Sequence, residues 1–184
     1  MRKAIAALAV LLLCACAGKA PQLHGTVLSP PPPAHGFTLR DQHGEPYSLD
    51  QSHGQAVALY FGFTHCEDVC PQTLALLGKA RSRAGLTPQQ LRIVMVSVDP
   101  ARDTGTALQR FFDKAGVQAT GLSGTGSQLQ AVYKSYGIAV VPQKHDIGHT
   151  GTIFLIDSHG RLRELLDPAA AVTAVAADLR AIVD

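Results

Sequence analysis

Residues 56–63 read Ala-Val-Ala-Leu-Tyr-Phe-Gly-Phe, an apolar and aromatic run broken by no charge or amide. A strand carries such a run when both of its faces are covered, so the chain is expected to fold as layers around a central sheet. The periodicity changes within a few residues. After Thr64-His65-Cys66-Glu67-Asp68, the side chains of Val69, Cys70, Thr73, Leu74, Leu77 and Ala80 fall on one face at helical spacing. This predicts a helix from Val69 to about Arg83. Pro71 is compatible with it because it lies in the first turn, where a backbone N–H has no helical partner to lose.

The same reasoning extends along the chain. Phe37 to Arg40 and Pro46 to Leu49 flank Gln42-His43-Gly44 and read as a small N-terminal β-hairpin. Leu91 to Val98 is a second buried strand. Asp103 or Thr104 caps a helix that presents Leu108, Phe111, Phe112 and Ala115 and ends at Gly116. A further helix carries Leu129, Val132, Tyr133 and Tyr136 and ends at Gly137. Thr152 to Asp157 and Arg161 to Leu166 form a hairpin across Ser158-His159-Gly160. Asp167-Pro168 then starts a last helix with Val172, Val175, Leu179 and Ile182 facing inward. This order predicts an α/β thioredoxin-like fold, with a central mixed sheet flanked by helices and the hairpin in front. It places the two cysteines just beyond the C-terminal end of a central strand, where open α/β sheets hold their chemistry.

The N-terminus reads as an address. Arg2 and Lys3 precede an apolar run from Ala4 to Leu13 that is short for a membrane span, the pattern of a secretory signal. Leu13-Cys14-Ala15-Cys16 is similar to a bacterial lipobox, with Cys16 as the lipid-bearing first residue of the mature chain. Residues 1–15 are thus expected to be a lipoprotein signal. Residues 16–34, with Pro30 to Pro33, are expected to be an extended tether, and residues 35–184 the folded domain. On this reading the domain lies outside the cytoplasm on a lipid anchor. Sixteen Lys plus Arg against fourteen Asp plus Glu, with no basic tract, give nothing for nucleic acid to bind.

With Cys14 and Cys16 in the leader, two of the four cysteines remain for the domain, Cys66 and Cys70. They are separated by three residues and sit at a helix start, whose partial positive charge favours thiolates. Such a pair serves disulfide exchange and soft metals alike. At helical spacing its Cα atoms lie about 6 Å apart, within reach of a reversible disulfide. His149 lies directly before the predicted hairpin strand, in a loop that a thioredoxin fold brings beside the cysteines. A lone loop histidine is often only solvated, but two thiolates and an imidazole would make a soft three-coordinate site suited to copper(I) rather than to structural zinc. The surroundings of Cys66 lack the Pro-x-x-x-Thr-x-x-Cys arrangement of peroxiredoxins, which speaks against a peroxidase.

Three blocks carry a family resemblance. Phe61-Gly62-Phe63-Thr64-His65-Cys66-Glu67-Asp68-Val69-Cys70-Pro71 closely resembles the copper motif of the Sco/SenC family. Val96-Ser97-Val98-Asp99-Pro100-Ala101-Arg102-Asp103-Thr104 resembles its second signature, and His149 ahead of Ile153-Phe154-Leu155-Ile156-Asp157 its third. The resemblance implies a periplasmic chaperone that binds copper(I) or copper(II) through Cys66, Cys70 and His149. Its client would be the copper A centre of cytochrome c oxidase subunit II or a related copper protein, and a periplasmic copper donor or thiol reductant would serve it. It equally implies an alternative, a thiol-disulfide oxidoreductase that keeps the oxidase's copper-ligand cysteines reduced. Glu67 and Gly105 stand where relatives often have proline, and neither touches an expected ligand. Asp68 is expected to cap the helix, and Asp99 either to cap a turn or to meet a partner. His65 is expected to point away from Cys66, with His145 and Asp146 as remote candidates for a fourth ligand. His24, His35, His43, His53 and His159 read as surface residues.

Overall fold

The structure, a computed structural model, describes residues 23–143 and 147–183. The expected signal, the Cys16 anchor and the His145–Asp146 pair lie outside the described residues. Among the described residues no helix is long and apolar enough to cross a membrane.

The predicted central strand is β4 (Ala56–Gly62), with every residue buried. It pairs in parallel with β5 (Leu91–Ser97), from Ala56↔Leu91 to Gly62↔Ser97. On its other side it pairs antiparallel with β9 (Ile153–Ile156). β5 continues in parallel to β6 (Thr120–Ser123), which pairs with β2 (Thr38–Asp41) and so with β3 (Pro46–Ser48) of the N-terminal hairpin. β9 continues to β10 (Leu162–Leu166) and to a short edge strand β1 (Thr26–Val27). The resulting order is β1-β10-β9-β4-β5-β6-β2-β3, and β7 (Val140–Pro142) and β8 (Ile147–His149) form a separate two-stranded ribbon.

Helix α1 (Val69–Ala84) lies between α2 (Gly105–Ala115) and α4 (Val172–Val183) in one layer. Tyr60 of β4 reaches Cys70 of α1. The next residue, Phe61, meets Tyr133 of α3 (Gly126–Ser135) edge-on, with ring centroids 6.2 Å apart. Alternation along one strand thus covers both faces, as its unbroken apolar sequence requires.

Three local readings are revised, and one open alternative is decided. α4 begins at Val172 rather than at Pro168, because Asp167 closes a turn of its own, its Oδ1 accepting from Ala169 N at 2.8 Å and its carbonyl from Ala170 N at 3.0 Å. Val69 is 51% exposed, since the first residue of α1 points away from the sheet. Asp68 occupies the N-cap position of α1 without capping it, its carboxylate taking a hydrogen bond from Gln72 instead. Thr104 rather than Asp103 caps α2, accepting from Ala107 N at 3.2 Å.

The proline-rich stretch lies along the sheet edge. Leu162 N donates to Pro32 O at 2.9 Å, Ala34 N to Gly160 O at 2.8 Å and Leu28 N to Arg163 O at 3.0 Å. Ordered pairing therefore starts ahead of residue 35. The arm is latched further by His24, whose Nδ1 lies 2.7 Å from Oδ1 of the fully buried Asp178, while Gly25 N donates to the buried Glu164. His24 is more than a surface residue.

The hydrogen bond to Asp178, and then its charge, hold the His24 pKa above the ordinary 6.5. A raised folded pKa means the latch contributes fully below that ordinary value and fades as pH rises through the folded one. The difference in melting temperature between wild type and His24→Ala is therefore expected to shrink from about pH 6 to about pH 9. A constant difference across that range would show that the imidazolium does not hold the arm.

Candidate metal centre

The parallel register of β4 and β5 ends both strands at the same level, so the loops that follow lie side by side. Val98 N donates to Gly62 O at 2.9 Å, continuing the ladder by one step. Asp103, in the second loop, then holds the first. Its Oδ1 accepts from Thr64 N at 3.0 Å and Thr64 Oγ1 at 2.7 Å, and its Oδ2 from Ser97 Oγ at 2.6 Å. Burial raises the Asp103 pKa, against the lowering effect of these donors. Asp103 was expected only as a possible helix cap; it is instead the strut that sets the height of the cysteine loop. Buried carboxylates need donors, and here the donors come from Thr64 and Ser97.

Cys70 is the second residue of α1 and is fully buried, whereas Cys66, in the loop before it, is half-buried. Cys66 Sγ takes the hydrogen bond of Cys70 N at 3.3 Å. The sulfur thus occupies the place at the helix start that Asp68 leaves empty. Tyr60 OH donates to Cys70 Sγ at 3.6 Å. Burial, and then the hydrogen bond with Cys66, push the Cys70 thiol up to about 12. Both thiols are free. A cation bound between the sulfurs would supply the charge that burial withholds and displace the thiol protons.

His149 ends β8 rather than lying in an open loop, and it pairs with Val140 across the ribbon. Thr150 N donates to Ala139 O at 3.2 Å, and Ala139 N to Thr150 Oγ1 at 3.1 Å, which fixes the strand. The ring stands edge-on to Phe63 and Tyr60, with centroids 5.9 and 6.3 Å away. Its Nδ1 donates to Thr150 O at 3.0 Å. That bond selects the tautomer with a free lone pair on Nε2, which lies 3.9 Å from Cys70 Sγ.

The fold places Cys70 beside both Cys66 and His149, the residues singled out by sequence, but the three ligand atoms do not all lie within 4.8 Å of one another. Two sulfurs and one imidazole nitrogen, walled by aromatic rings, fit a soft cation of low coordination number. A nearby group, His65 with Asp99 and Asp103, has potential ligand atoms within 4.8 Å of one another. Its carboxylates are already engaged, Asp103 as strut and Asp99 with Arg102. His65 faces this group and bonds Thr64 Oγ1 through Nδ1 at 3.2 Å.

Gly62 makes room for the sulfur. A Cβ there would lie 2.8 Å from Tyr60 Cε1 and 3.3 Å from both Cys70 Sγ and Met95 Sδ. Gly62→Ala is expected to destabilise the fold by about 1–3 kcal/mol and to weaken metal binding by displacing Cys70. Urea unfolding and metal titration read the two effects separately. Unchanged stability and affinity would show that the pocket has slack.

The SCO1/SenC family model matches residues 29–184. The chain is 34% identical over 134 residues to the mitochondrial SCO2 homolog of Bos taurus, covering 67% of this chain and 50% of that protein. It spans between 45% and 64% of the length of the relatives it matches. Among solved structures it is similar to copper-bound ScoI of Bradyrhizobium japonicum, with 29% identity, TM-score 0.73 and coverage of 81% of this chain and 98% of that one. It is also similar to apo Sco1 of Thermus thermophilus, with 32% identity, TM-score 0.76 and coverage of 89% and 99%. These neighbours share the thioredoxin-like arrangement of mixed sheet and flanking helices expected from the sequence. A match that takes in the cysteine loop, the Asp103 strut and the His149 ribbon in one continuous stretch establishes that the chain belongs to the SCO1/SenC family.

Proposed function

We propose that this chain is a periplasmic copper chaperone. It holds copper(I) or copper(II) on Cys66 Sγ, Cys70 Sγ and His149 Nε2, and delivers it to the copper A centre of cytochrome c oxidase subunit II or a related copper protein. The observation that carries the reading is His149 Nε2 aimed at the buried Cys70 sulfur, 3.9 Å away, with the opposite ring nitrogen tied to backbone. Disulfide exchange needs only sulfurs; an oriented imidazole is a metal-site feature. Relatives support the metal's identity: copper is bound in the structures of Bradyrhizobium japonicum ScoI and of yeast Sco1, the latter 26% identical with TM-score 0.69.

The chain's own groups divide the work. Cys70 forms the buried floor of the site, and His149, like Cys66, is half-buried at its rim. Half-buried Cys66 is the sulfur a client reaches first. Binding releases thiol protons, so copper is held less tightly as pH falls. A lipid on Cys16 would keep the domain at the membrane that houses the client, and intact mass of the protein from native membranes tests that anchor.

The thiol-disulfide oxidoreductase remains the second reading, favoured by two free thiols at a helix start, one of them accessible. Cells lacking the chain and grown at limiting copper are expected to lose oxidase activity and oxidase-bound copper, with recovery on added copper. Full oxidase activity in those cells would contradict the chaperone. Recovery with a thiol reductant but not with copper would favour the oxidoreductase.

A further inference from the structure

Beside Cys66 the surface opens into a groove of about 740 Å³ between the cysteine loop and α2. That volume is in the range of pockets that enclose a ligand rather than a water cluster. Its near wall holds Cys66, Glu67 and Pro71, and its far wall Arg110, Phe111 and Lys114. Arg110 and Lys114 are four residues apart on α2 and share one face of it. Both are exposed, and neither has an ion-pair partner among the described residues. Asp113, the acid between them, lies off the groove and accepts a hydrogen bond from Gln109 at 2.9 Å. Glu67 is the groove's only acidic lining residue and stands on the cysteine side. The accessible sulfur therefore opens onto a channel whose far wall carries two uncompensated cations.

Resting on the chaperone reading, we infer that this groove docks an extended acidic segment of the protein that exchanges copper with the chain. Carboxylates of that segment lie against Arg110 and Lys114, and its thiol meets the metal from the Cys66 side. As the incoming sulfur bonds copper, its proton passes to solvent. The bond from copper to Cys66 Sγ breaks, and Cys66 takes up a proton. Copper keeps its charge, so no oxidant or reductant is required. A basic segment on the same path would meet like charge, and the groove thereby selects partners as well as guiding them.

Two measurements on the full mature chain test this. In the first, copper(I)-loaded protein is mixed with synthetic peptides sharing one Cys-x-x-Cys core and flanked by either three Glu or three Lys. The acidic peptide is expected to take copper at least about tenfold faster at low ionic strength, with the advantage lost at high salt. R110E/K114E is expected to reverse the preference while holding the same copper stoichiometry. The second measurement needs no metal. The rate of Cys66 alkylation by anionic iodoacetate, relative to neutral iodoacetamide, is expected to fall severalfold in R110E/K114E, and to an intermediate value in R110Q/K114Q. Equal rates for both peptides, or an alkylation ratio indifferent to the substitutions, would overturn the groove. Failure of wild type and variant alike to hold copper would instead overturn the chaperone reading, with the alkylation ratio still deciding the groove.

Discussion

His149→Ala is expected to abolish copper(II) binding and to weaken copper(I) binding, yet to leave the chemistry of Cys66 and Cys70 intact. Losing a group that merely orients a metal ligand weakens affinity by about 10–100-fold, so losing the ligand itself should exceed about 100-fold for copper(II). Copper(I) tolerates low coordination and is expected to persist in part on two thiolates. The pair itself is retained, because Cys66 Sγ is held by Cys70 N and Cys70 Sγ keeps Tyr60 OH when its 3.9 Å contact with the imidazole is lost. The reduced variant should therefore still oxidise to a Cys66–Cys70 disulfide. Equilibrium competition with a copper chelator and thiol counting read the two properties. Wild-type copper(II) affinity in His149→Ala would remove His149 from the site.

Cys70→Ser is the complementary case and the more severe one. Cys70 is fully buried between Tyr60, His149 and the end of β4, and only one other thiol, Cys66, is present among the described residues. Oxygen is a poor donor to copper(I), and a single thiolate with one imidazole does not replace two thiolates. Copper(I) affinity is expected to fall by well over about 1,000-fold, each tenfold being about 1.4 kcal/mol. The fold should survive, because serine is smaller than cysteine and Tyr60 OH remains as a partner for the new hydroxyl. Cys66→Ser is expected to lose copper similarly while changing stability less, since Cys66 is only half-buried. Circular dichroism with copper titration separates these outcomes. Stoichiometric copper(I) retention by Cys70→Ser at wild-type affinity would mean that the metal sits elsewhere.

Strong, local patterns made the architecture legible. The unbroken apolar run of β4 and the helical spacing after it placed both cysteines, two of the three proposed ligands, within a residue or two of their observed elements. Short elements with weak patterns were not legible. β6 is Thr-Gly-Leu-Ser, with one large apolar side chain, and Gly121 is there because a Cβ would lie 2.8 Å from the Phe112 ring. β7 and β8 are three residues each and form a ribbon separate from the main sheet, too short to show a period, so His149 read as a loop residue.

Side-chain roles set by tertiary partners were hidden for a different reason. Asp68 matches a helix cap in sequence, yet Cys66 Sγ receives an N–H at the helix start. Asp103 and His24 have meaning only once Thr64 and Asp178 are folded against them, 39 and 154 residues away in the chain. Local sequence encodes propensity and periodicity; it does not encode which distant donor satisfies a buried carboxylate.

The most direct test of the account is anaerobic copper(I) titration of the fully reduced mature chain against a competing chelator, with copper X-ray absorption on the loaded protein. The chaperone account predicts one copper per chain, bound by two sulfurs and one imidazole nitrogen, with the nitrogen contribution missing in His149→Ala. A chain that surrenders all copper to the chelator, or a copper signal without sulfur that is indifferent to Cys66, Cys70 and His149, would contradict it.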